Sequence, residues 1–259
     1  MTQTELITLY TQDQRINISY PDSHREVLPN LIRNVGTGDE SEGTIIYSQL
    51  DETNVDQVIR EQIAWFTARG QNFEWKAYDY DTPADLVARL AAQGFVIEES
   101  ESIMVLELAQ APAALLQPVR QPIQRLTTSE ALYVVRTIEE AVWGGDFRWL
   151  IDFLGHALRY HPSQMSVYVA YAGAVPASAA WSYYPAGSRF ASLWGGSTVA
   201  AYRGQGLYTA LLAIRAQEAI SRHVEFLTVD ASAMSRPILE KFGFIKIAES
   251  YPCKWQIKG

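Results

Sequence analysis

The stretch "GGSTVAAYRGQGLYTALL", residues 195–212, decides how the second half of the chain is interpreted. It places an arginine and two glycines between a run typical of a β-strand and a run with the apolar spacing of a helix. A helix N-terminus has unpaired amides and a partial positive charge, so such a turn can hold a phosphate. The alternative is a glycine turn that only starts a core helix. The residues on either side are needed to choose between these interpretations.

The surrounding sequence predicts a compact α/β arrangement. Two helical patterns, "SEALYVVRTIEEAVWGG" and "DFRWLIDFLGHALRY", precede three strand patterns that we expect to form an antiparallel meander. After the opening stretch come a strand, "EFLTVDA", a short helix, "RPILEKF", the pair Gly243-Phe244 and a closing strand. The second half is therefore predicted as β-α-α-β-β-β-α-β-α-β.

The first half shows part of the same order. A strand, "TIIYSQL", is followed by a helix in "TNVDQVIREQIAWFTARG", a strand, "FEWKAYD", a helix, "PADLVARLAAQ", with Pro83 in its first turn, the pair Gly94-Phe95 and a strand, "SIMVLEL". This favours two copies of one α/β unit, and the alternative is two unrelated segments whose helices both end on glycine. Because three prolines fall in residues 109–122, we predict domains at 1–110 and 123–259 joined by a linker at 111–122.

Taken together, these features resemble the GCN5-related N-acetyltransferase (GNAT) superfamily. In that family an Arg/Gln-x-x-Gly-x-Gly/Ala signature opens the helix that binds the pyrophosphate of coenzyme A (CoA). The residues Arg203, Gly204, Gln205, Gly206 and Leu207 fit this signature, whereas Tyr208 occupies the last Gly/Ala position and departs from it. The resemblance covers roughly residues 121–257 and is faint across 44–108, where "QLDETNVD" has no glycine cradle. It implies an α/β (α+β) fold with a mixed, mostly antiparallel central sheet flanked by helices, and a smaller, partial N-terminal copy that does not bind CoA.

The family resemblance also implies a path for the pantetheine arm. The strand before the signature splays from its neighbour, and its exposed backbone pairs with the arm; the corresponding residues are Gly196, Ser197, Thr198 and Val199. Gly195 and Gly196 fit either a β-bulge or a merely weakened strand. Ser232 stands where the family often has asparagine, and it or Ser235 either bonds the cofactor arm or caps the following helix.

The sequence offers several candidates for the catalytic groups. Leu239 occupies the position of the family's usual tyrosine, which protonates the leaving thiolate. A thiol with a pKa of about 8.5 can leave as thiolate near neutral pH without that acid. Attack by an amine needs a base, and a carboxylate is the expected type. The candidates are Glu139, Glu140, Asp146 and Asp230, each of which is otherwise a solvated charge or a helix cap.

Aromatic residues are dense around the expected acceptor side of this fold. We expect most of them to be core and a few to line an acceptor pocket, with "VWGGDFRW" the best candidate; the acceptor would then be partly apolar. The set comprises Trp143, Phe147, Trp149, Trp181, Tyr183, Tyr184 and Trp194.

Composition excludes several classes of protein. The chain has 259 residues, 48% of them hydrophobic, and a formal net charge of -8, which argues against a nucleic-acid surface. One cysteine, Cys253, allows neither an internal disulfide nor a thiolate metal cage, and the four histidines lack metal-ligand spacing. No signal sequence or apolar span is evident. We therefore expect a cytoplasmic protein without a metal, a membrane or a nucleic-acid partner.

The sequence predicts an acetyl-CoA-dependent N-acetyltransferase acting by direct attack of an amine, on a small-molecule or peptide acceptor. The alternative is a non-catalytic acyl-CoA-binding or regulatory module. A third interpretation is a tandem-domain aminoacyl or peptidyl transferase, against which the "RGQG" cradle argues. The N-terminal copy would cover the acceptor groove or contribute to a homodimer.

Overall fold

The structure, a computed structural model, describes residues 1–20, 23–37 and 42–257. The chain divides into two compact units. The first comprises Met1–Met104, Asp230–Ile238 and Ile245–Gly259, and the second comprises Val105–Val229 and Leu239–Phe244. The domain boundaries predicted at residues 110 and 122 stay predictions.

The helices and strands follow the predicted order in the second half of the chain. Among the described residues the helices are α1 (Gln3–Tyr10), α2 (Val55–Ala68), α3 (Leu86–Ala92), α4 (Ala113–Leu116), α5 (Tyr133–Trp143), α6 (Arg148–Tyr160), α7 (Leu207–Ser221) and α8 (Arg236–Glu240). The strands are β1 (Ser23–Val27), β2 (Leu31–Gly36), β3 (Gly43–Ser48), β4 (Phe73–Tyr78), β5 (Val96–Ile97), β6 (Glu101–Glu107), β7 (Ile123–Leu126), β8 (Met165–Ala172), β9 (Val175–Tyr183), β10 (Phe190–Thr198), β11 (Phe226–Ala231) and β12 (Ile245–Trp255).

The first unit is built on strands in the order β1-β2-β3-β4-β12. The meander β1-β2-β3 is antiparallel, β3 and β4 are parallel, and the last strand of the chain, β12, runs antiparallel to β4. Helices α2 and α3 bury the apolar side chains of this sheet, with Phe66 of α2 stacked on Phe73 of β4 at 4.2 Å between ring centroids. The closing strand of the second predicted copy therefore completes the sheet of the first unit.

The second unit repeats this plan with strands in the order β7-β8-β9-β10-β11. Strands β7 to β10 pair antiparallel in sequence, and β10 and β11 are parallel. Leu207 and Leu211 of α7 pack on one face, on which Ala180 of β9 lies. Ala179, next to Ala180 in β9, faces the other side of the sheet, because successive side chains of a strand alternate. It is opposite Ser197 of β10, and Ser197 is hydrogen-bonded to Glu139 of α5, so α5 covers that other face. In both units a meander, a helix and a parallel strand therefore succeed one another.

Two local predictions need correction. Helix α3 begins at Leu86 and not at Pro83, because residues 83–85 form a turn. The predicted linker, residues 111–122, contains a short helix, α4, between Pro112 and Pro118. Its Leu115 is buried, and the Leu115 carbonyl accepts a hydrogen bond from Nε2 of Gln217 at 2.8 Å. Proline disrupts a helix only from inside it, so a short helix fits between two prolines.

No helix of the described ranges has the length and apolar character needed to cross a membrane.

Candidate functional site

The turn from β10 into α7 presents a row of free backbone amides. Gly204 and Gly206 both have φ of +76°, which glycine adopts without steric cost, and Gly206 caps α7. Within the described residues, none of the amides of residues 204–209 donates a hydrogen bond to the rest of the chain. The exposed Arg203 donates from Nε to the Thr198 carbonyl at 3.2 Å, so its guanidinium is held beside the turn. Free amides, a helix N-terminus and a cation together form an anion site.

Strands β10 and β11 pair only at their beginning. Their parallel register ends at Ser192 and Thr228, although β10 continues to Thr198 and β11 to Ala231. Beyond Ser192, the edge of β10 that faced β11 has no ladder partner among the residues that the structure describes. A backbone edge of this kind can pair with an extended ligand that carries amide groups.

A β-bulge lies in this unpaired part of β10. The register with β9 shifts between Gly195 and Ser197, and Gly195 and Gly196 have φ of +70° and +85°. A Cβ on Gly195 would lie 2.5 Å from the Trp181 ring, and one on Gly196 would lie 2.9 Å from the Tyr208 ring. The bulge interpretation of the glycine pair is confirmed. The room left by Gly196 accommodates the large Tyr208 side chain.

Arg215 of α7 supports the backbone just before the bulge. Its side chain is buried and donates to the carbonyls of Trp181 and Trp194 at 3.4 and 3.2 Å. Burial lowers the pKa of Arg215 to about 10. A buried cation that is hydrogen-bonded to two adjacent strands holds them in register, since losing either hydrogen bond would leave a buried charged donor without an acceptor.

Glu139 of α5 reaches the same strand from the opposite face of the sheet. The Ser197 hydroxyl donates to Oε2 of Glu139 at 2.8 Å, and the Trp143 indole N–H donates to the Ser197 oxygen at 2.9 Å. Glu139 is only 3% exposed, and its Oε1 atom has no hydrogen-bond partner within the described residues. Desolvation raises the pKa of the Glu139 carboxyl, and the hydrogen bond from Ser197 offsets part of this effect. A carboxyl with a raised pKa that accepts from a hydroxyl on the splayed strand is a candidate for proton transfer.

Comparison with protein families supports the assignment of this half of the chain. Residues 158–255, which contain the bulge, the splayed strand and the amide turn, match the family model of the acetyltransferase (GNAT) domain. Residues 158–255 are thus similar to a GNAT domain.

Solved structures share this fold over nearly the whole chain. A GCN5-related N-acetyltransferase from Kribbella flavida is 14% identical, covers 99% of this chain and 95% of its own, and superposes with a TM-score of 0.69. A tandem GNAT protein from the clavulanic acid biosynthesis pathway is 11% identical, covers 93% and 86%, and has a TM-score of 0.61. The fold is thus the mixed, mostly antiparallel GNAT-like α/β fold that the sequence predicted.

A curated relative matches a shorter stretch. A thiosulfate sulfurtransferase from Azotobacter vinelandii is 34% identical over 100 residues, which are 30% of this chain and 36% of that protein. The chain thus spans about a third of the length of that relative.

The other predicted bases in the second unit hold ion pairs. Glu140 accepts from Nε of Arg136 at 2.6 Å, and Asp146 accepts from Nε of Arg148 at 2.6 Å. Hydrogen bonds from the backbone and side chain of Arg148 lower the pKa of Asp146. Both carboxylates lie at the surface and are neutralised by a partner. Among the three candidates within the second unit, Glu139 is the one that is buried.

The remaining predicted site residues near the end of the chain have local partners. Asp230 belongs to the first unit and forms an ion pair with Lys76 there. The Ser232 hydroxyl accepts from the Ser235 amide at 3.3 Å, in the turn just before α8. Leu239, in the position of the family's tyrosine, is buried and has no proton to donate. Their roles toward CoA stay predictions.

The aromatic residues separate into two groups. Trp181, Tyr183 and Tyr184 are buried, as expected of core residues. Trp143 and Trp149 are each 63% exposed and Trp194 is 43% exposed.

Sequence reasoning missed Arg215 and the coupling of Trp143 to Ser197. The spacing of Glu139 and Trp143, one helical turn apart, was a weak signal that both serve one site. The described part of the chain contains no group of three or more His, Cys, Asp or Glu side chains placed to hold a metal ion.

Proposed function

We propose that the protein is an acetyl-CoA-dependent N-acetyltransferase that transfers the acetyl group to the amine of a small-molecule or peptide acceptor. The observation that carries the proposal is the free amide turn at residues 204–209 next to the unpaired edge of β10. A GNAT fold supports acyl-CoA-dependent acetyl transfer in general. The acceptor and the role of each residue are the finer parts of the proposal.

The residues present fit two parts of CoA, the pyrophosphate and the pantetheine arm. The cradle of Arg203, Gly204, Gln205, Gly206, Leu207 and Tyr208 would hold the pyrophosphate through its amides and the Arg203 guanidinium. Gly206 leaves little room for a side chain, because a Cβ added there would lie 3.2 Å from Nε2 of Gln121. The β10 edge at Gly196, Ser197, Thr198 and Val199 would pair with the pantetheine amides. When bound, acetyl-CoA supplies an acetyl group activated as a thioester.

Glu139 is the proposed base. An acceptor ammonium must lose a proton before its nitrogen can attack. Because the Glu139 carboxyl is buried, the proton passes to the Ser197 oxygen while the Ser197 hydroxyl gives its own proton to Oε2 of Glu139. The ammonium gives up two protons in all: one goes to Glu139, and the other ends on the thiol released as the carbon–sulfur bond breaks. Ser197 holds the carboxyl in place by donating to Oε2, and Trp143 in turn donates to the Ser197 oxygen. With Leu239 in the tyrosine position, the thiolate leaves without that acid, as a pKa of about 8.5 permits.

Sulfur transfer, the activity in the name of the curated relative, finds no support in the cysteine of this chain. Cys253 is buried in β12, and desolvation raises its pKa to about 12. A sulfur-accepting nucleophile must be an accessible thiolate.

Calorimetric titration of acetyl-CoA is the direct test. We expect binding by the wild type and its loss in Gly206→Asp, which places a carboxylate in the cradle. Gly187→Asp is the matched control, because Gly187 also has positive φ and lies in open space in the loop before β10. Equal binding by both variants, or none by the wild type, would contradict the proposal.

Thiol release in the presence of an amine panel then separates an enzyme from a binding module. An enzyme releases CoA in proportion to the acetylated amine, and Glu139→Gln lowers kcat/KM by about 10²-fold or more. Binding without thiol release at any pH would favour the non-catalytic alternative.

A further inference from the structure

The exposed end of α5 presents a fixed aromatic face beside the proposed base. Trp143 is the last residue of α5, and Gly144 and Gly145, with φ of +71° and +79°, turn the chain away from it. Its indole N–H is used by the bond to Ser197, yet 63% of the side chain is exposed. The ring is therefore held in one orientation and offers only its π face and its carbon edge to a ligand.

A second indole lies on the same face of β10. Trp194 is opposite Trp181, and Ser197 is opposite Ala179, so Trp194 and Ser197 point to one side of the sheet. The Trp194 N–H donates to the Ser192 hydroxyl at 2.9 Å, which again leaves an exposed ring without a free donor. The face that carries the Glu139 contact thus has two oriented indoles.

The charged side chains next to this face neutralise one another. Glu140 and Asp146 hold Arg136 and Arg148 in ion pairs. Glu139 is different, because its carboxyl is buried and is linked to this face through the Ser197 hydroxyl. The local chemistry is therefore one carboxyl behind Ser197 to attract an ammonium, and an apolar, π-rich surface for the rest of the molecule.

Resting on the proposed function, we infer that the acceptor is a primary amine on an apolar, preferably aromatic, body, and that Trp143 determines this specificity. The ammonium is attracted both to the indole face and to the Glu139 carboxyl, since a cation over a tryptophan ring gains from its quadrupole. The body of the amine covers the indole, which removes apolar surface from water. A polar amine such as an amino sugar gains neither the stacking nor the desolvation.

The test compares acetylation of 2-phenylethylamine, hexylamine and glucosamine by four proteins: wild type, Trp143→Leu, Trp143→Phe and Tyr133→Leu. Tyr133 is the matched control, because it is an exposed aromatic residue at the other end of α5. We expect the wild type to prefer 2-phenylethylamine and to use glucosamine least. Trp143→Leu should lower the ratio of kcat/KM for 2-phenylethylamine to that for hexylamine on the order of tenfold, mainly through KM.

The ratio between two amines cancels any change in folding or in the position of Glu139, which a purely structural role of Trp143 would cause. Trp143→Phe should keep most of the ratio because it keeps an aromatic face, and Tyr133→Leu should keep all of it. Equal ratios in Trp143→Leu and Tyr133→Leu, or a wild-type preference for glucosamine, would overturn the inference.

Calorimetric binding of 2-phenylethylamine in the presence of CoA distinguishes this inference from the proposed function. Binding that Trp143→Leu abolishes, without transfer to any amine, supports the aromatic site and contradicts the enzyme. Transfer without an aromatic preference contradicts the site alone. Neither binding nor transfer would overturn both.

Discussion

The guanidinium of Arg15 holds both carboxylate oxygens of Asp81, at 2.7 and 2.8 Å, where β3 and β4 part in the first unit. The parallel register of these strands ends at Ile45 and Trp75. Beyond it, Arg15 donates from Nε to the Ile46 carbonyl, and Asp81 accepts from the Tyr78 amide. A pair of side chains thus joins the two strand backbones that no longer bond to each other.

The turn that follows β3 is also satisfied from within. Oδ1 of Asp51 accepts from the amides of Thr53 and Asn54 at 2.8 and 3.1 Å, just before α2. The corresponding turn of the second unit, residues 204–209, has free amides. The first unit therefore has Asp51 at the turn and Asp81 at the parting strands. At the corresponding places the second unit has, within the described residues, an amide turn without acceptors and an unpaired strand edge.

From this contrast we expect one acetyl-CoA per chain. Calorimetry on the full chain should give a stoichiometry near one, and Gly206→Asp should abolish it completely. A stoichiometry near two, or residual binding in Gly206→Asp, would show that the first unit also binds CoA.

Arg15→Met should destabilise the protein by about 3–5 kcal/mol, because it leaves the Asp81 carboxylate buried without its partner. Arg89→Met is the control: it breaks more exposed pairs, with Asp85 and Asp56, and should change the free energy of unfolding much less than Arg15→Met. Urea unfolding measures both. Similar losses in the two variants would mean that the Arg15 pair has no special role.

Glu139 should make stability and activity depend on pH in opposite directions. Its folded-state pKa is raised above the ordinary 4.5, so its protonated form is favoured by folding. Stability from this group is fully present below pH 4.5 and is lost as pH rises through the raised pKa. Glu139→Gln should therefore be more stable than wild type at neutral pH, and the difference should shrink toward pH 4.5 in thermal unfolding.

The activity of the wild type should fall as pH drops through the same raised pKa, because only ionised Glu139 accepts a proton. The pH profile of kcat/KM should lose this acidic limb in Glu139→Gln. An unchanged profile would exclude Glu139 as the base.

Gly196→Ala should cost about 2–4 kcal/mol, since its Cβ would meet the Tyr208 ring and its φ is positive. Gly187→Ala shares the positive φ but has open space, and about 1 kcal/mol is expected. Tyr208→Ala removes the ring, so adding it to Gly196→Ala should restore part of the loss. Strictly additive effects would show that the two residues do not pack together.

Cys253 should not react with a thiol reagent in the native protein, because it is buried and its pKa is raised to about 12. Labelling should appear only with unfolding. Rapid native labelling would reopen the question of sulfur chemistry.

Local sequence determined the parts of this protein that depend on short-range preferences. Apolar spacing sets α2, α5, α6 and α7, alternation sets the meander, and positive-φ glycines allow both the bulge and the amide turn at Gly204 and Gly206. These features depend on neighbours a few residues away, so one sequence suffices to predict them.

The partnerships across long stretches of chain were decided only by the tertiary structure. Strand β12 joins the first unit beside β4, Arg15 reaches Asp81, and Glu139 rather than Glu140 or Asp146 meets Ser197. Neighbouring carboxylates on one helix look alike in sequence, and packing selects which of them loses its water. Burial and the partner across the fold, not residue type, separate a candidate base from a surface ion pair.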